Sequence, residues 1–101
     1  MQITVQYILG CPHADLAAQR VTAAAVVLGL DVPVTMQLVD DESTAALGFA
    51  GSPTILIDEA DLFPAEPSGL SCRLYATDEG PQGAPSIEQA VDALRQRSMD
   101  A

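Results

Sequence analysis

Two cysteines, one histidine and a nearby aspartate are the side chains in this sequence whose types and spacing could do chemistry. Cys11 stands where the apolar run Ile3 to Leu9 breaks at Gly10, directly before Pro12, His13 and Asp15, and Cys72 lies far along the chain. A cysteine at a strand-to-helix corner faces the unpaired N–H groups of the first helical turn and the positive end of the helix dipole. Both favour thiolate over thiol. A thiolate there would attack a disulfide or another soft electrophile and form a reversible adduct. The competing reading is a small, semi-buried residue that packs well at a tight corner. His13 can donate to the Cys11 sulfur or add positive charge beside it, although a helix start disfavours its protonated form. The alternative for His13 is simple solvation.

The elements that must position these groups follow from apolar periodicity. Ile3, Val5, Tyr7 and Leu9 alternate with Gln2, Thr4 and Gln6, which predicts a strand. Ala17, Val21, Ala24 and Leu28 recur at helical spacing, predicting a helix over 12–28 with Pro12 at its first position and Gly29 as its stop. Val32, Val34, Met36 and Leu38 alternate again, giving a second strand that a crossover helix makes parallel to the first. Asp40, Asp41 and Glu42 suit the start of a short helix ending near Gly48. Gly51-Ser52-Pro53 is a turn, and Thr54 to Ile57 is a third strand. Asp58 to Ser71 reads as a loop, Cys72 to Tyr75 as a short fourth strand, and Thr77 to Pro85 as a connection. Ser86 and Gln89 form a capping box ahead of Ile87, Ala90, Val91 and Leu94, a closing helix. The expectation is one α/β domain over residues 1–101, with a four-stranded mixed sheet in the order β-α-β-(short α)-β-β-α.

Composition narrows the function. Fourteen acidic residues against four arginines and no lysine give a net charge of −10, which repels nucleic acid and anionic membrane surfaces. The same charge raises the cost of docking anionic glutathione. A hydrophobic content of 49% supports a real core. The longest apolar stretch, around Ala23 to Leu28, is too short to span a bilayer. With no visible secretory signal, a cytoplasmic location is expected, and two cysteines in a reducing compartment are free, catalytic or structural thiols. No phosphate-cradling loop, serine-histidine-aspartate set or zinc pattern can be assembled, so no cofactor or metal is expected. The acidic residues Asp58, Glu59, Asp61 and Glu66 lack calcium-loop spacing and read as a solvated loop.

The element order, Gly10-Cys11-Pro12-His13-Ala14 after the first strand, and Ser52-Pro53-Thr54 before the third resemble the thioredoxin fold. The resemblance implies that Cys11 is the nucleophile and that Pro53 is a cis-proline beside its sulfur. It also implies that Pro12 and His13 support the thiolate, and that Ser52, Pro53 and Thr54 meet an extended substrate segment. Pro12-His13 is similar to the dipeptide between the cysteines of the periplasmic disulfide oxidants. The resolving position is Ala14, so a dithiol cycle within the motif is impossible, and the implied partner is an external thiol or a protein thiol or disulfide. The chain also resembles a group of short bacterial thioredoxin-like proteins, some labelled organomercurial lyases. Those lyases use two cysteines and an aspartate, which places Cys11 and Cys72 in the thiol pair and Asp15 as the acid.

Cys72 divides these readings. If the fourth strand pairs antiparallel with the third, residue 72 stops ~10 Å short of the cysteine corner, whereas a disulfide needs Cα atoms within ~7 Å. That geometry makes Cys72 a structural thiol, and a different register would make it a second reactive one. The third alternative is non-catalytic, a binding module or a homodimer formed through an exposed sheet edge.

Overall fold

The computed structural model describes residues 1–39, 49–65 and 72–99. It is a mixed α/β structure in which β1 (Ile3–Tyr7), β2 (Val34–Leu38), β3 (Thr54–Ile57) and β4 (Ala60–Asp61) form one sheet in the order β2-β1-β3-β4. β1 runs parallel to β2, with Val5 opposite Met36, and antiparallel to β3, with Val5 opposite Ile55. A separate hairpin joins β5 (Tyr75–Thr77) to β6 (Gly80–Gln82). Helices α1 (Ala14–Val27) and α2 (Ile87–Met99) pack against each other.

Strand alternation sends Ile3, Val5, Ile55 and Ile57 to one face of the sheet. There they meet Ala17, Val21, Ala24 and Ala25 of α1 and Ala90, Val91 and Leu94 of α2. The alanines of α1 let its backbone lie close to the strands. On the opposite face, the same alternation places Thr4, Gln6, Thr35, Gln37 and Thr54, and Gln6 Nε2 donates to Gln37 Oε1 at 2.9 Å. β2 is an edge strand whose residues Thr35 to Leu38 are exposed. No helix among the described residues is long and apolar enough to cross a membrane.

Both helices end on local chemistry. Leu30 N–H bonds to Ala25 O and Gly29 N–H to Val26 O, with Gly29 at φ 70°, the paired closure that stops a helix at a left-handed glycine. At α2, Ser86 N–H bonds to Gln89 Oε1 at 2.9 Å and Gln89 N–H to Ser86 Oγ at 3.1 Å, a reciprocal capping box.

Three expectations change. The fourth strand of the sheet is Ala60–Asp61, not Cys72 to Tyr75, because the chain reverses after Ile57 in a two-residue turn. Tyr75 pairs instead with Gln82 inside the supposed connection 77–85. α1 begins at Ala14 with His13 as its N-cap, so Pro12 lies outside the helix. The reason is the turn before it, where Cys11 N–H bonds to Ile8 O at 3.1 Å and Gly10 takes φ 80°, the positive φ a type II turn requires at its third position. The short helix expected between Asp40 and Gly48, and Glu66 of the acidic loop, lie outside the described residues.

The β3–β4 turn is built from Asp58 and Glu59 at φ 50° and 73°, the two positive values of a type I′ hairpin. Asp58 is anchored, accepting at Oδ1 from Gln2 N–H and donating its own N–H to Gln2 O. Glu59 is exposed and carries a left-handed cost of ~1–2 kcal/mol that glycine would avoid. After the extra unfolded-state freedom of glycine is subtracted, Glu59→Gly is expected to stabilise the chain by roughly 0.5–1 kcal/mol in urea unfolding. Destabilisation would contradict the turn assignment.

Candidate functional site

Antiparallel pairing of β1 and β3 puts the end of β1 and the start of β3 on one rim of the sheet, with Gln6 opposite Thr54. Cys11 follows β1 at this rim and the cis Ser52–Pro53 peptide precedes β3. Ser52 is fully buried and joins the two, its Oγ accepting from Ile8 N–H at 3.1 Å. Since Ile8 O holds Cys11 N–H, the corner that carries the thiol is tied to Ser52 through one residue.

The other side of Ser52 is occupied by the chain itself. Cys72 pairs with Ser52 as an isolated parallel bridge, and Arg73 N–H donates to Ser52 O at 2.8 Å. Cys72 therefore reaches the rim instead of stopping short of it, because its segment runs beside Ser52 in parallel. Cys72 is exposed, Cys11 is half-buried, and both are free thiols. The Ser52 edge expected to receive a substrate segment holds residues 72 and 73. The Ser52, Pro53 and Thr54 side chains are buried, and Thr54 Oγ1 donates to Gly51 O.

A polar cluster fixes the 72–75 segment. The Arg73 guanidinium is buried and pairs with Asp61 at 2.9 Å, lies 4.5 Å from the centroid of the Tyr75 ring, and donates to Phe63 O. Phe63 meets Tyr75 edge to face at 5.5 Å, and Tyr75 Oη donates to Pro53 O. Asp61, half-buried, thus belongs to an ion pair with a buried arginine and not to a solvated acidic loop. Burial pushes the Tyr75 phenol well above its ordinary range; Arg73 opposes that rise, and Asp61 and Cys11 add to it.

The remaining candidates sit apart from this cluster. The His13 side chain makes no cap hydrogen bond, and its ring lies over Gly83, where an added Cβ would come within 2.2 Å of Cδ2. His13 is thereby a packed, half-buried ring. Pro12 is exposed, and Asp15 is exposed in the first turn of α1, where its carboxylate suits the positive helix end. Among the described residues no group of three His, Cys, Asp or Glu side chains is placed to hold a metal ion. A concavity of about 630 Å³ lies over the polar sheet face between Thr4, Gln37 and Asp61, and neither cysteine lines it. Sequence reasoning missed Arg73, Phe63 and Tyr75. The available signal was a lone arginine flanking Cys72 in a lysine-free chain, which needs a carboxylate once buried.

The raised Tyr75 value gives stability a sign with pH. The folded chain holds this proton more tightly than the unfolded chain, so the contribution is fully present below about pH 10 and is lost as pH rises beyond it. Urea unfolding across alkaline pH is expected to show that fall. Tyr75→Phe should lower neutral-pH stability by about 1 kcal/mol through the lost bond to Pro53 O, and should shrink the alkaline fall. An unchanged alkaline slope would contradict the assignment. No known protein family, curated protein or solved structure matches the chain.

Proposed function

We propose that this chain is a thioredoxin-like thiol protein in which Cys11 is the reacting nucleophile, exchanging with a small or protein disulfide. The observation that carries the reading is the joint placement of Cys11 and the cis Ser52–Pro53 peptide on one rim, coupled through the Ser52 to Ile8 hydrogen bond. The β1–α1–β2 unit with parallel strands, the antiparallel β3 that opens at that peptide, and helices packed on one sheet face also agree with it. Disulfide exchange needs a thiolate with an open approach in line with the target bond. Cys11 is half-buried, sits in a glycine-containing turn, and has exposed Leu9, Gly10 and Pro12 around it.

The binding mode differs from an open edge. A partner that paired with Ser52 O would have to displace Arg73 N–H, which is anchored by the Asp61 ion pair. The reading therefore favours small disulfides, or partners that approach from the Cys11 side, over extended chains that add to Ser52. The net charge of −10 further favours neutral or cationic partners.

The test is the rate of adduct formation with 2-hydroxyethyl disulfide, a neutral probe, on Cys72→Ser, followed by intact mass. Cys11 in the folded variant should react several-fold faster than in the same chain unfolded in urea, and Cys11→Ser should lose that fast reaction. Equal or slower reaction of folded Cys11 would mean that the fold only shields the sulfur, and would overturn the proposal.

A further inference from the structure

We propose that Cys72 is the resolving thiol for Cys11, so that the chain supplies within its own fold the second sulfur that its Gly10-Cys11-Pro12-His13-Ala14 segment lacks. The inference rests on the reading of Cys11 as the reacting thiol and adds the partner that completes its cycle. The two cysteines are remote in sequence, yet two backbone links and one through the Ser52 hydroxyl connect them across the rim. Cys11 N–H bonds to Ile8 O, Ile8 N–H bonds to Ser52 Oγ, and Cys72 is paired with Ser52. Neighbouring strands lie ~4.8 Å apart, so the bridge holds the Cys72 backbone one strand spacing from Ser52. Tyr75, three residues beyond Cys72, donates to Pro53 O at the same rim. The buried Arg73 ion pair fixes this register, so Cys72 is held at the rim while its side chain stays exposed.

The exchange balances with one small disulfide as oxidant. The Cys11 thiolate attacks one sulfur of the probe, forming a mixed disulfide and expelling one thiolate. The Cys72 thiolate then attacks the Cys11 sulfur, forming the Cys11–Cys72 bond and expelling the second. Two protein thiols are oxidised, one disulfide is reduced to two thiols, and the two protein protons pass to the departing thiolates. The product needs Cα atoms within ~7 Å.

The experiment treats wild-type chain and Cys72→Ser with 2-hydroxyethyl disulfide, followed by intact mass and peptide mapping under non-reducing conditions. Wild type should end two hydrogens lighter, as a monomer with Cys11 linked to Cys72 and no retained probe. Cys72→Ser should accumulate a single mercaptoethanol adduct on Cys11 with a lifetime many-fold longer than in wild type. Equal adduct lifetimes, independent labelling of both cysteines, or disulfide-linked dimers in place of the internal bond would each overturn the inference while leaving Cys11 reactive. Absence of any Cys11 adduct in Cys72→Ser would remove the underlying reading and the inference together.

Discussion

Ser52 is the constraint on which the rim depends. One buried residue uses its hydroxyl to hold the amide of Ile8 and its carbonyl to hold the amide of Arg73, and so fastens the cysteine-bearing ends of two segments to the start of β3. Each bond is made in a site with no solvent access at the serine, where an unpaired donor or acceptor costs ~1–3 kcal/mol. The geometry is therefore held by the penalty for leaving these groups unmade as much as by the bonds themselves. The cysteines inherit their positions from it.

The second support is the Arg73 cluster. A buried guanidinium costs desolvation and is stabilising only when its partners are complete. Here a carboxylate, a hydroxyl, a carbonyl and a ring face surround it, supplied by Asp61, Thr54, Phe63 and Tyr75. These come from β3, β4, the residues just after β4, and the start of β5. Arg73 is thus the point where the β3–β4 hairpin and the segment leading into β5 are joined.

Much of the fold was legible because its strongest elements are periodic. β1, α1, β2, β3 and α2 each carry enough apolar repeats to be read, and Gly29 and the Ser86/Gln89 pair mark ends with a defined mechanism. β4 was not legible, since two residues show no period and its I′ turn uses Asp58-Glu59 in place of a glycine-containing pair. The β5–β6 hairpin was hidden by Pro81 and Gly80, which read as a connection. The start of α1 shifted because Pro12 suits a helix entry, while the Ile8–Cys11 turn delays it by two residues. For the candidate site, the break at Gly10 gave the place of Cys11 at the end of β1, and the cis bond before Pro53 was implied by the resemblance. The place of Cys72 was not legible, because a single isolated bridge and a remote ion pair set it, and neither leaves a sequence period.

The proposed pairing of Cys11 with Cys72 requires both sulfurs to converge beside Ser52. The most direct measurement is binding of phenylarsine oxide, whose trivalent arsenic bridges two thiolates only when both converge on it. One arsenical is expected to be retained per reduced wild-type chain, and to be lost in both Cys11→Ser and Cys72→Ser. No retention by wild type, or equal retention by either single-cysteine variant, would show that the two sulfurs do not share the rim and would overturn the pairing.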